Sequence, residues 1–130
     1  MYTSRLFAGV CVGVMLLSTM CCGGNGPDCG VNGLNVGPST ATVDHMAAAP
    51  GNSQTFNASF QVKNNSGCPA VTAALVNSNW TVSDPSVHLS SSPSTHVTAT
   101  CTAAVSNPVA ITATPADGEM FIGKASLTCN

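Results

Sequence analysis

The sequence predicts an all-β protein, in which a two-sheet sandwich of about seven short antiparallel strands follows an export signal and a flexible tether. Three observations predict this fold class. Apolar and polar residues alternate with a period of two through most of the chain after residue 40, turn residues interrupt the alternation about every 8–12 residues, and no segment has convincing helical periodicity. Because each sheet then has one apolar face, the stable arrangement packs the two faces together.

Residues 1–21 have the pattern of a secretory signal. Arg5 supplies a positive charge, residues 6–17 are apolar or small, and the polar residues Ser18 and Thr19 follow them. The apolar run has about a dozen residues, whereas a membrane-spanning helix needs about 20. We therefore expect residues 1–21 to be removed and the protein to be exported.

The end of this signal resembles that of a bacterial lipoprotein, in which a cysteine becomes the acylated first residue. Ordinary signal peptidase prefers small residues before the cut, and Met20-Cys21-Cys22 supplies them badly. Of the 7 cysteines, four remain to pair if Cys22 carries the lipid, whereas cleavage before Cys21 leaves an odd thiol. We therefore predict Cys22 as the anchor, with Cys21 as the alternative. The expected location is the outer membrane or cell surface; the alternative is release into the periplasm or medium.

The chain from residue 22 onward has little charge. Its charged side chains are Lys63, Lys124, Asp28, Asp44, Asp84, Asp117 and Glu119. Nucleic-acid binding requires clustered Lys and Arg, so we exclude it as a function. About 109 residues suffice for one domain. We divide the chain into a signal peptide at 1–21, a tether rich in Gly, Asn and Pro at 22–37, and a sandwich domain at 38–130.

Three strands are predicted in the first half of this domain. A short strand at 41–43 precedes the turn Pro50-Gly51-Asn52. Residues 55–62 then alternate apolar and polar side chains, which a helix would not sort onto one face. A third strand at 79–83 alternates in the same way and stops at Asp84-Pro85-Ser86.

Four strands follow in the second half. A brief strand at 87–89 ends in a serine-rich segment, and strands at 96–102 and 109–114 place threonines opposite their apolar residues. Pro115-Ala116-Asp117-Gly118 predicts a hairpin turn before the last strand at 121–129. The core residues that this pattern predicts are Phe56, Phe60, Trp80, Val82, Val97, Ile111 and Leu127.

Three segments resemble the bacterial Ig-like group 2 family. Residues 80–87 (WTVSDPSV) are similar to its signature, a tryptophan strand followed by a Ser-Asp turn and an apolar residue. Residues 109–114 (VAITAT) resemble its sixth strand and residues 125–128 (ASLT) its last. The resemblance covers residues 37–130. It implies an Ig-like β-sandwich at the cell surface with a structural or adhesion role.

A disulfide pairing follows if the strands have the Ig order. Four cysteines can pair in three ways in an exported protein. In the Ig order, Cys29 and Cys68 lie at one end of the sandwich and Cys101 and Cys129 at the other, and a bridge requires Cα atoms about 4.4–6.8 Å apart. The expected bonds are therefore Cys29–Cys68 and Cys101–Cys129. A metal or redox site is the competing interpretation, which the absence of a Cys-x-x-Cys pair from the mature sequence disfavours.

No metal or cofactor site is predicted. His45, His88 and His96 are expected at the surface, because no carboxylate or third histidine accompanies the last two in sequence. Asp117 and Glu119 flank a turn, where carboxylates are ordinarily solvated.

No catalytic site is predicted either. The sequence lacks a Gly-x-Ser-x-Gly motif to present a nucleophilic serine, and Trp80 is expected in the core rather than as a sugar-stacking platform. We therefore expect a structural or binding module and no enzyme, with an unknown protein or glycan ligand held by the loops at 63–78 and 90–95. A periplasmic accessory binding protein or small enzyme is the alternative.

Overall fold

A computed structural model describes residues 29–63, 67–68 and 73–130. Within these ranges the protein has eight β-strands and no helix: β1 Val31–Gly37, β2 Thr40–Val43, β3 Ser53–Val62, β4 Ser78–Val82, β5 Val87–Leu89, β6 His96–Cys101, β7 Val109–Pro115 and β8 Gly123–Cys129. The predicted signal peptide and both candidate anchor cysteines, Cys21 and Cys22, lie outside the described residues.

The strands form two four-stranded sheets, ordered β1-β3-β6-β5 and β2-β8-β7-β4. Every pair is antiparallel except β2 with β8, which is parallel. The inward faces of both sheets supply one hydrophobic core. The all-β prediction with two apolar sheet faces is confirmed.

The predicted core residues lie in or against this core. Phe56, Trp80, Val97, Ile111 and Leu127 are buried. The remaining two, Phe60 and Val82, are partly buried and pack against the others. Full burial of an aliphatic or aromatic side chain of this kind stabilises the fold by about 1.5–3 kcal/mol.

The tether prediction for residues 22–37 is wrong for Val31–Gly37, which forms β1. Leu34 and Val36 alternate with exposed residues, are buried, and lie opposite Phe60 and Ala58 of β3. The burial of these two side chains outweighs the low strand propensity of the glycines and asparagines around them. At the start of the domain, β1 therefore belongs to the sheet of β3 and β2 to the sheet of β8. The described part of the sandwich has eight strands rather than the predicted seven.

A glycine permits the close approach between β1 and the start of β8. A Cβ atom on Gly123 would lie 2.8 Å from Cγ2 of Val36 and 3.0 Å from the carbonyl oxygen of Leu34. Both separations are shorter than a normal contact, so only a residue without a side chain fits between the two strands.

The hairpin between β7 and β8 is present, although its loop is longer than predicted. Gly118 adopts a φ of 89° and donates its N–H to the carbonyl of Pro115 at 3.4 Å. The left-handed conformation explains why a glycine stands at this position. β8 begins at Gly123 rather than at Phe121, so residues 116–122 form an extended loop at this end of the sandwich.

Candidate functional site

The two disulfides mark opposite ends of the sandwich. Cys29 is bonded to Cys68 with a Cα–Cα distance of 5.4 Å, and Cys101 to Cys129 with 5.9 Å. These are the two pairs that the Ig strand order implies. Val31 lies opposite Val62 at the end of β3, which places Cys29 at that end. Ser53, at the start of β3, lies opposite Thr100, which places Cys101 at the other end.

The two loops that the sequence analysis proposed for binding meet at the Cys29 end. Ser78 and Ser94 exchange two backbone hydrogen bonds of 3.0 Å. Trp80 donates its indole N–H to the carbonyl of Ser94 and its backbone N–H to the hydroxyl of Ser92, both at 2.9 Å. These contacts cover the outer edge of β4 and satisfy the buried indole nitrogen. Trp80 is therefore a core residue, as predicted.

Segment 73–77 lies along β3 at the same end. Phe60 donates its backbone N–H to Ala74 at 3.1 Å, and Val76 donates to Ala58 at 2.9 Å. Ala116, at the start of the β7–β8 loop, donates to Asn77 at 2.9 Å. The backbone of 73–77 is therefore tied both to β3 and to the β7–β8 loop.

An open pocket of about 370 Å³ lies between segment 73–77 and the β7–β8 loop. Its lining consists of Phe60, Leu75, Val76, Asn77, Ala116 and Asp117. The lining combines apolar side chains with one amide and one carboxylate. Asp117 is the single ionisable side chain among the described residues that line the pocket.

Large apolar side chains are exposed around this pocket. Leu75 is 59% exposed, Met120 97% and Ile122 60%. The rings of Phe60, which also lines the pocket, and Phe121 meet edge to face, with centroids 6.4 Å apart. We call these five residues the apolar end. The apolar end was not predicted from the sequence, although the run Met120-Phe121-Ile122 beside a turn is a signal for it, because three large apolar residues in succession are unusual in a loop.

The rest of the described surface offers a contrast. Among the described residues, the other exposed large apolar side chains are Val31, also at the Cys29 end, and Met46, beyond β2 at the opposite end. The outward faces of the sheets carry mostly hydroxyl and amide groups, as where Thr55 and Thr98 share a hydrogen bond of 3.1 Å across β3 and β6. Exposed apolar residues therefore concentrate at one end.

The predicted histidines do not form a site. His88 lies opposite Thr100, whereas His96 lies at the other end of β6, opposite Asn57. His45 hydrogen-bonds through Nδ1 to the carbonyl of Asn130. In the part of the chain that the structure describes, no group of three or more His, Cys, Asp or Glu residues has the geometry to hold a metal ion.

Three aspartates are used in turns. Asp44, Asp84 and Asp117 each accept the backbone N–H of the residue two positions later. Such a bond stabilises a turn locally. These carboxylates therefore have a structural role that explains their positions without a ligand.

No protein-family model and no curated protein matches this chain. Among the described residues, no helix is long and apolar enough to span a membrane. The structure thus defines a disulfide-bonded, all-β protein with an apolar end, and any functional assignment rests on its own geometry.

Proposed function

We propose that this chain is an exported lipoprotein, anchored through Cys22, that holds one bacterial Ig-like module at the outer membrane or cell surface. Its role is structural or adhesive, and the apolar end is its binding surface. The observation that carries this proposal is the concentration of exposed apolar side chains at one end of an otherwise polar sandwich, because such patches mark interaction sites.

The strand order supports the Ig-like assignment. A constant-type Ig domain orders its strands A-B-E-D in one sheet and C-F-G in the other. β1, β3, β6 and β5 correspond to A, B, E and D, and β4, β7 and β8 correspond to C, F and G. β2 is then the second part of a first strand divided between the sheets. The group 2 assignment rests on the sequence resemblance described above.

Cysteine pairing supports the choice of anchor. Cys29, Cys68, Cys101 and Cys129 are all bonded in pairs. Cleavage before Cys22 leaves one further cysteine, which the lipid consumes, so no unpaired thiol remains. Disulfides also fit an oxidising compartment outside the cytoplasm.

The anchor is tested with two matched variants of the full chain, Cys22→Ser and Cys21→Ser, produced in a bacterium that acylates lipoproteins. We expect the parent chain and Cys21→Ser to partition into the detergent phase, with an acylated Cys22 as the first residue by mass spectrometry. Cys22→Ser should lose both properties. A free N-terminus beyond Gly23 on a soluble parent chain would reject the lipoprotein assignment and favour release by ordinary signal peptidase.

A further inference from the structure

We infer that the apolar end rests on the lipid bilayer, so that the module lies against the membrane with its loops inserted among the lipid headgroups. This inference rests on the proposed lipid anchor and names the partner of the proposed binding surface. It commits to a lipid surface as the occupant, and a protein or glycan at the same place is the competing outcome of the test.

The shape of the apolar end suits an interface between water and hydrocarbon. Leu75 lies in segment 73–77, beside Ser59 of β3, whereas Met120 and Ile122 lie in the β7–β8 loop, and all three side chains are largely exposed. Phe60 and Phe121, which contact each other edge to face, join the same region to the hydrophobic core. Side chains of this type bind membranes when they are buried about 5–10 Å into the boundary between headgroups and acyl chains.

The chain enters the domain at the apolar end, so a lipid anchor before Cys29 would place the membrane close to that end. Cys29 is tied to Cys68 at the same end as the exposed loops, so the chain enters the sandwich there. The seven residue-to-residue steps from Cys22 to Cys29 reach at most about 25 Å when fully extended. A lipid on Cys22 therefore keeps this end close to the bilayer surface.

The Cys101 end of the sandwich cannot easily face the bilayer instead of the apolar end. β3 has 10 residues and runs between the two ends, which are therefore about 30 Å apart. This distance exceeds the reach of the segment from Cys22 to Cys29. A domain with its Cys101 end on the bilayer would therefore require this segment to be longer than it is. With the apolar end on the bilayer, the outward faces of the sheets, which are rich in hydroxyl groups, remain in water.

The charges near the apolar end indicate what kind of lipid surface it suits. Among the described residues, Asp117 and Glu119 in the β7–β8 loop are balanced in formal charge by Lys63 and Lys124, which lie beside the same end. From residue 22 onward the sequence has two lysines and no arginine, which is too few for a polybasic cluster that attracts anionic lipids. We therefore expect insertion into zwitterionic phosphatidylcholine, with little dependence on salt concentration.

Two exposed methionines at opposite ends allow a matched experiment. Met120 is 97% exposed at the apolar end, and Met46 is 79% exposed at the far end. The variants Met120→Trp and Met46→Trp each add one indole to a chain whose single natural tryptophan, Trp80, is buried and gives a constant background. Neither substitution removes a packed side chain.

Each variant is produced as the mature, acylated chain and reconstituted into phosphatidylcholine vesicles, with and without spin-labelled phosphatidylcholine. The emission of Met120→Trp should shift to shorter wavelength, and the label should quench it by about twofold, as expected for a residue at the acyl boundary. The emission of Met46→Trp should change in neither respect. Raising the sodium chloride concentration should leave the quenching at residue 120 unchanged.

Equal quenching at residues 120 and 46, or a fully hydrated signal at both, would overturn the inference. Burial of residue 120 in native membranes but not in pure lipid vesicles would also overturn it and point to a protein partner. The mass of the N-terminal peptide from the same preparations separates the two proposals. An acylated Cys22 with a hydrated residue 120 rejects the insertion alone, whereas a Cys22 without lipid rejects the anchor and the inference that rests on it.

Discussion

Removing the disulfide between Cys101 and Cys129 should cost more stability than removing the one between Cys29 and Cys68, although chain entropy predicts the opposite order. The two bonds join residues 28 and 39 positions apart. For loops of these sizes, the entropy lost by the unfolded chain corresponds to about 3.6 and 3.9 kcal/mol near room temperature. Entropy alone therefore favours the Cys29–Cys68 bond by a few tenths of a kcal/mol.

Burial reverses this order. Cys101 and Cys129 are each 1% exposed and belong to the hydrophobic core, whereas Cys29 is exposed. Replacing the buried pair with alanine deletes two core sulfur atoms, each costing about 1 kcal/mol in transfer and cavity terms. The expected loss is about 5–6 kcal/mol for the buried bond and at most about 4 kcal/mol for the exposed bond. The larger loss is a substantial part of the roughly 5–15 kcal/mol by which domains are stable.

Urea unfolding of two double variants measures the difference. Cys101→Ala/Cys129→Ala carries the predicted effect, and Cys29→Ala/Cys68→Ala is the matched control. The fluorescence of Trp80, the single tryptophan, reports the loss of the core. A loss of 5 kcal/mol lowers the urea midpoint by roughly 2 M or more for a domain of this size. A midpoint for the control that is equal to or below that of the other variant would show that loop entropy, and not burial, sets the order.

Three further predictions concern accessibility and packing. Mild thiol reductant should open the Cys29–Cys68 bond before the Cys101–Cys129 bond, because Cys29 is exposed and the other pair is buried. Timed alkylation followed by mass spectrometry measures the order, and simultaneous opening of both bonds would contradict the prediction. Gly123→Ala should destabilise the domain by about 1–3 kcal/mol through overpacking against β1. Gly37→Ala, which has open space around its Cβ position, should be nearly neutral in the same urea assay, and equal effects would refute the packing argument. Leu34→Ala should cost about 2–5 kcal/mol, whereas no change in the urea midpoint would mean that β1 is not part of the cooperative fold.

The strands with large apolar residues could be predicted from the sequence because alternation alone defines them. Phe56 to Val62 and Val109 to Ala113 give an unbroken period of two, and both form strands within the predicted core. β1 could not be found in this way. Its two buried side chains, Leu34 and Val36, stand among glycines and asparagines, and only their pairing with β3 reveals the strand.

The candidate site could be predicted only in part. The loops at 63–78 and 90–95 were expected to carry binding because of their position, and their described parts meet at one end through Ser78 and Ser94. The apolar end itself depends on Phe60 and Phe121, which are far apart in the chain and meet only in the folded sandwich. No local pattern encodes such a contact.

The Cys101–Cys129 bond has a dynamic consequence. It joins β6 to β8 and therefore links one sheet to the other, whereas Cys29–Cys68 connects the entry to β1 with the chain that follows β3, within one sheet. The sheets cannot separate at the Cys101 end without breaking a covalent bond, whereas at the apolar end the described residues hold them together by side-chain packing and backbone hydrogen bonds. Native-state breathing should begin at the apolar end, and amide hydrogen exchange should slow along each strand toward the Cys101 end. A bilayer pressed against the apolar end would then suppress the fastest exchange in the molecule.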